Sequence, residues 1–153
     1  MMGSTVTMGG VPEGFDADII LRQMQRDGRP LMHIARDDKR LAAFAEAVRF
    51  FAPDMPVIEF PAWDCLPYDR VSPNADISAQ RMATLAGLVH AMPKQFILLT
   101  TLNAAMQRVP ARQVLRDAAF RAEVGRPLDE EALRAVLVRM GFSKAPTGWE
   151  RGD

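Results

Sequence analysis

The chain has 153 residues, enough for one modest domain or for one domain and part of a second. Hydrophobic residues make up 48% and charged residues 25%, a composition that can bury a core and excludes a disordered tail. Against 19 Lys and Arg stand 19 Asp and Glu, a formal charge of +0 that argues against a nucleic-acid arm or a polybasic membrane patch. The single cysteine, Cys65, excludes an internal disulfide framework and a multi-cysteine zinc site, and a reducing cytoplasm is the expected location. Apolar stretches such as Phe96 to Leu99 are far too short to span a bilayer.

Along the chain, Ile19, Ile20 and Met24 share a helical face, with Asp16 or Asp18 as a cap and Gly28 as the stop, which predicts a helix over residues 17–27. Leu31-Met32-His33-Ile34-Ala35 reads as a short strand. Asp37-Asp38 then caps a helix carrying Leu41, Phe44, Ala45, Val48 and Phe51. Pro56 to Phe60 is a second strand, after which Pro61, Pro67 and Pro73 keep the chain irregular to about Asn74. Asp76 opens a helix with Met82, Leu85, Val89 and Met92 on one face, ended by Pro93. Phe96-Ile97-Leu98-Leu99 is apolar on both faces, as a parallel-sheet strand covered by helices on each side must be. Thr101 can cap a short helix through Val109, and Pro110 marks a boundary.

Beyond Pro110 the texture changes. Phe120 to Val124 alternates like a half-buried strand, Gly125-Arg126-Pro127 turns, and Asp129 caps a helix carrying Leu133, Val136, Leu137 and Met140 to Gly141. This is too little to close its own core. The expected fold class is therefore α/β: a layer of mainly parallel strands with flanking helices over residues 1–115, followed by the truncated start of a small α+β domain over 116–153. An unpaired edge and apolar face near Phe120, Val124, Phe142 and Trp149 would favour self-association, so a homodimer is an expected partner state.

Candidate chemistry is sparse. Gly9-Gly10-Val11-Pro12-Glu13-Gly14-Phe15-Asp16 has the spacing of a phosphate-binding loop, but Phe15 stands where a lysine would meet the phosphates and Asp16 where a hydroxyl would meet magnesium. The alternative is a Gly/Pro turn before a capped helix. Cys65 would need a histidine base, and His33 and His90 are placed beside it by no motif. Asp64 and Asp69 could pair for acid/base work, although carboxylates between prolines more often cap turns. No cofactor and no metal site are expected. The scattered arginines of the C-terminal third suit interface ion pairs with a partner protein better than a phosphate backbone.

Several segments taken together carry a resemblance. Phe60-Pro61-Ala62-Trp63-Asp64-Cys65-Leu66-Pro67-Tyr68-Asp69, Ser72-Pro73-Asn74, Asp76-Ile77, Arg81-Met82-Ala83-Thr84-Leu85, Thr101-Leu102, Met106-Gln107-Arg108-Val109-Pro110, Gly125-Arg126-Pro127-Leu128 and Glu150-Arg151-Gly152-Asp153 resemble the N-terminal region of the bacterial transcription-repair coupling factors. In that family the region is similar to UvrB, an α/β layer derived from a helicase fold and followed by a small UvrA-binding domain. The resemblance implies a fragment whose phosphate loop (Gly9, Gly14, Phe15, Asp16) is degenerate, and a structural role for Trp63, Asp64, Leu66, Pro67, Tyr68, Asp69, Ser72 and Pro73. It implies UvrA and the other domains of the intact protein as partners, with Arg126 and Arg151 nearest the UvrA surface. The short segment between Tyr68 and Asp76, where UvrB inserts its DNA-clamping hairpin, leaves no strong DNA binding expected. A residual nucleotide- or DNA-binding module like UvrB is the alternative.

Overall fold

The computed structural model describes residues 5–65, 72–90, 92–118, 124–125 and 127–139. Gly14, at a φ of 84°, is the N-cap of α1 (Phe15–Asp27), and Gly28, at φ 64°, ends it by donating to the Met24 carbonyl. The helix begins two residues before the expected start, because the left-handed turn at glycine replaces a side-chain cap. Asp16 lies within the first turn and Asp18 pairs with Arg22 at 2.9 Å instead of capping. β1 (Leu31–Ala35) follows, then α2 (Asp38–Phe51), whose N-cap Asp37 accepts from the Arg40 amide at 2.9 Å. β2 (Val57–Phe60) leads through the proline-rich loop to α3 (Ala75–His90). β3 (Ile97–Thr101) and α4 (Leu102–Met106) complete the series; Thr101 caps α4 by accepting from the Ala104 amide, and the helix ends at Met106, short of Val109.

The three strands form one parallel sheet in the order β1-β3-β2, with Leu31 and Val57 both in register with Ile97. All five β3 residues are buried, as expected of a central strand with helices on both faces. On one face, Ala17, Leu21 and Met24 of α1 and Phe44, Ala45 and Val48 of α2 pack with Ile97 and Leu99. On the other, Phe60, Phe96, Leu98 and Ala104 form a second cluster, joined by Ile58, Leu85 and Met92. The expected α/β layer of parallel strands with flanking helices is therefore the observed architecture. Among the described residues no helix is long and apolar enough to cross a membrane.

By its internal contacts the chain divides into two units, Met1–Val109 and Pro110–Asp153. The second contains α5 (Arg112–Ala118) and α6 (Glu130–Arg139), the latter capped by Asp129 accepting from the Ala132 amide at 2.9 Å. Of the strand expected over Phe120 to Val124, only Val124 lies among the described residues; there it is fully exposed in a turn with Gly125, at φ 84°. Phe142 and Trp149 lie outside the described residues.

Candidate functional site

After β1 the chain turns to the face of α2, and after the neighbouring β3 to the face of α4. Open parallel sheets carry their ligands outside the carboxyl ends of strands at such a reversal. A crevice of about 410 Å³ lies at the carboxyl end of β1, lined by Glu13, Gly14, Asp16, His33, Arg36 and Arg40 among others. The loop with phosphate-binding spacing thus does border the crevice, through Glu13, Gly14 and Asp16. Gly9 is exposed and has open space around it.

The charges of this crevice are matched within the protein. Arg40 Nη1 donates to Glu13 Oε1 at 2.8 Å, and Arg36 Nε to Asp37 Oδ2 at 3.0 Å, so both lining arginines are paired with carboxylates. Asp16 Oδ1 accepts from the Ala17 amide at 3.0 Å, taking a donor of the α1 N-terminus. Phe15 does not line the crevice; its ring meets Phe51 of α2 edge-on at 6.4 Å. The His33 imidazole lies flat on Phe44, with ring centroids 3.7 Å apart and planes 5° from parallel. Burial pushes its pKa below the ordinary value, and the Asp16 carboxylate pulls in the opposite direction.

The second region is the proline-rich loop. Asp64 accepts from the Asn74 amide at 3.1 and 3.3 Å, closing the loop across its base, while Asn74 Oδ1 accepts from the Asp76 amide at 2.8 Å and opens α3. The Trp63 amide donates to Gln107 Oε1 at 2.9 Å. The same oxygen accepts from Arg81 Nη1 at 3.2 Å, and that nitrogen also donates to the Pro61 carbonyl. Arg81 is only 1% exposed, with its guanidinium 4.2 Å from the Phe60 ring centroid and 4.4 Å from that of Trp63. No carboxylate pairs with it among the described residues, and burial pushes its pKa down. Thr84 and Thr100 donate to the carbonyls of Glu59 and Phe60, fixing the end of β2.

Of the other singled-out residues, Ser72 is exposed, Pro73 half-buried and Cys65 a half-buried free thiol. Leu66, Pro67, Tyr68, Asp69, Arg126 and Arg151 lie outside the described residues. Among the described residues no group of three or more His, Cys, Asp or Glu could hold a metal ion. Sequence reasoning did not foresee the buried Arg81 or the doubly accepting Gln107. The available signal was that both stand in segments carrying the resemblance, far apart in sequence and joined here on one loop.

No protein-family model matches the chain. It is similar to the transcription-repair-coupling factor of Escherichia coli, 28% identical over 137 residues that cover 90% of this chain and 12% of that protein. It is also similar to that of Myxococcus xanthus, 33% over 125 residues (76% and 10%), and that of Haemophilus influenzae, 27% over 146 residues (95% and 12%). The chain thus spans about a tenth of the length of these curated relatives. Along most of its own length the chain is thus similar to one region of the transcription-repair-coupling factors.

Proposed function

We propose that this chain is a non-catalytic scaffold from the N-terminal part of a cytoplasmic transcription-repair coupling factor, and that it serves nucleotide excision repair by recruiting UvrA. The observation that carries the non-catalytic reading is the α1 N-terminus. A phosphate there needs free amides, a cation and no competing negative charge. Instead Asp16 takes an amide, Glu13 holds Arg40, and the residue at the lysine position packs on Phe51. A phosphate entering this crevice would meet two carboxylates and no unpaired cation.

On this reading residues 1–115 are a UvrB-like layer with a degenerate phosphate loop. Residues 116–153 begin the UvrA-binding domain, with Arg126 and Arg151 nearest the partner surface. The balanced charge of the whole chain, +0, supports a protein partner over DNA. A stable interface needs about 800 Å² per side around a cluster of anchors, so this chain binds UvrA weakly. UvrA is titrated with this chain and with one extended by about sixty residues, enough to complete a small domain. The longer chain is expected to bind and the shorter to lose most of the affinity. Equal affinities would move the surface, and no binding by the longer chain would remove the function. Calorimetric binding of magnesium-ATP at millimolar concentration or tighter would favour the UvrB-like nucleotide module instead.

A further inference from the structure

Asp27-Gly28 is the single Asp-Gly pair of the chain, and Asn74 and Asn103 are each followed by alanine. An aspartyl residue before glycine is open to internal attack, because no Cβ shields the next amide nitrogen and the glycine backbone rotates freely. Both residues are exposed, and a Cβ built on Gly28 would meet nothing within 4 Å. The fold nevertheless ties down both reacting groups. The Gly28 amide, at the C-cap of α1, donates to the Met24 carbonyl at 2.9 Å, and Asp27 Oδ2 accepts from Gln23 Nε2 at 2.9 Å. With Asp27 helical, the amide after it points back along α1 to Met24 instead of to the carboxyl carbon of its own neighbour.

We propose that Asp27-Gly28 is a modification site at which the chain converts its own aspartyl linkage to an isoaspartyl one, and that the C-cap of α1 is the gate that limits the reaction. When the last turn opens, the Gly28 nitrogen attacks the side-chain carboxyl carbon of Asp27. A nitrogen–carbon bond closes a five-membered succinimide ring, and the hydroxyl of the protonated carboxyl leaves with the amide proton as water. Water then adds back. Cleavage at the side-chain carbonyl restores aspartate. Cleavage at the main-chain carbonyl leaves Gly28 joined through Cβ and Cγ of Asp27, with the former main-chain carbonyl as the free carboxylate. Water lost is water regained, and nothing is oxidised or reduced. The backbone is then one methylene longer at the cap itself, where the acceptor belongs to Met24. That residue is 2% exposed in the core shared by α1 and α2, and its carbonyl also accepts from Gln95 Nε2 at 3.2 Å.

The test incubates the full chain at neutral pH, folded and in guanidinium chloride, and quantifies isoaspartate by peptide mapping against synthetic peptides of both isomers. In the unfolded chain the isomer should accumulate at residue 27 ahead of every other position. In the folded chain it should accumulate at least about tenfold more slowly, the suppression expected of a gate whose opening costs about 1.4 kcal/mol or more. Gln25→Gly, at an exposed position of the last turn, should speed the folded reaction about fivefold and leave the unfolded rate unchanged. Circular dichroism should show this variant folded. Asp27→Glu, which would have to close a larger ring, should form no isomer. No isomer in the unfolded chain, equal rates folded and unfolded, a Gln25→Gly rate no faster than wild type, or a signal that survives Asp27→Glu would each overturn the proposal.

Discussion

The guanidinium of Arg81 sits 4.4 Å from the Trp63 ring centroid while one of its nitrogens shares Gln107 Oε1 with the Trp63 amide. One charged side chain on α3 thereby holds a loop that follows β2 to a residue that follows α4. Among the described residues no carboxylate meets this buried cation, and it is the two rings, the Pro61 carbonyl and Gln107 Oε1 that surround it.

Replacing Arg81 with Met keeps the aliphatic stem and removes the charge-assisted bonds and both ring contacts. Stability should fall by about 2 to 4 kcal/mol, since hydrogen bonds to charged groups and cation–π contacts each contribute about 1 to 3 kcal/mol when desolvated. Urea titration measures the loss, and a shift below about 0.5 kcal/mol would show that the loop is held by other means.

Gln107 discriminates between packing and polarity. Its Oε1 accepts from two donors. Gln107→Leu strands both and should cost about 1 to 3 kcal/mol. Gln107→Glu keeps the acceptor and gives Arg81 an anion, so it should be at least about 1 kcal/mol more stable than the leucine variant. Thermal unfolding of the two variants side by side checks the order.

Much of the layer was legible because its signals are local. Asp37, Thr101 and Asp129 cap the helices that follow them, Gly28 ends α1, and the doubly apolar Phe96 to Leu99 run marks the central strand. Other features depend on what the chain meets after folding. The start of α1 was misplaced because a carboxylate was expected to cap, whereas Gly14 does so by its backbone. α5 has no apolar stripe to announce it: of its described side chains only Leu115 is even half-buried. Arg81 reads as a solvated helical charge until the rings of Phe60 and Trp63 are placed around it.

His33 gives a pH dependence of known sign. Its pKa is lowered in the folded protein, mainly by burial, so over the range below the ordinary value of 6.5 the unfolded chain binds more protons. Stability is greatest above 6.5 and falls as pH drops toward the folded value. The melting temperature of the wild type should therefore fall between pH 7.5 and 5.5 more than that of His33→Gln. The Asp37 pKa is also lowered, first by its bond from the Arg40 amide, and its contribution is lost only in the carboxylate range. Identical slopes in the two proteins would exclude His33 as the source.

Restoring the phosphate-loop residues should not restore binding. Phe15→Lys with Asp16→Thr supplies the missing cation and hydroxyl, but Glu13 still faces the crevice and still holds Arg40. Calorimetry with millimolar magnesium-ATP should detect no binding by this variant or by the wild type. Binding by the double variant would mean that only those two side chains are missing.

The anchors of the proline-rich loop also set when it can form. Pro61 waits for Arg81, 20 residues on, Phe60 for Thr100, 40 residues on, and Trp63 for Gln107, 44 residues on. Contacts at such separations form only after the intervening chain has been ordered. During synthesis the loop leaves the ribosome ahead of its last anchor, and the Trp63 amide lacks its acceptor meanwhile. Gln107 is thus the latch of this loop, and a chain ended just before it would carry all three described strands and still leave the Trp63 amide without its acceptor.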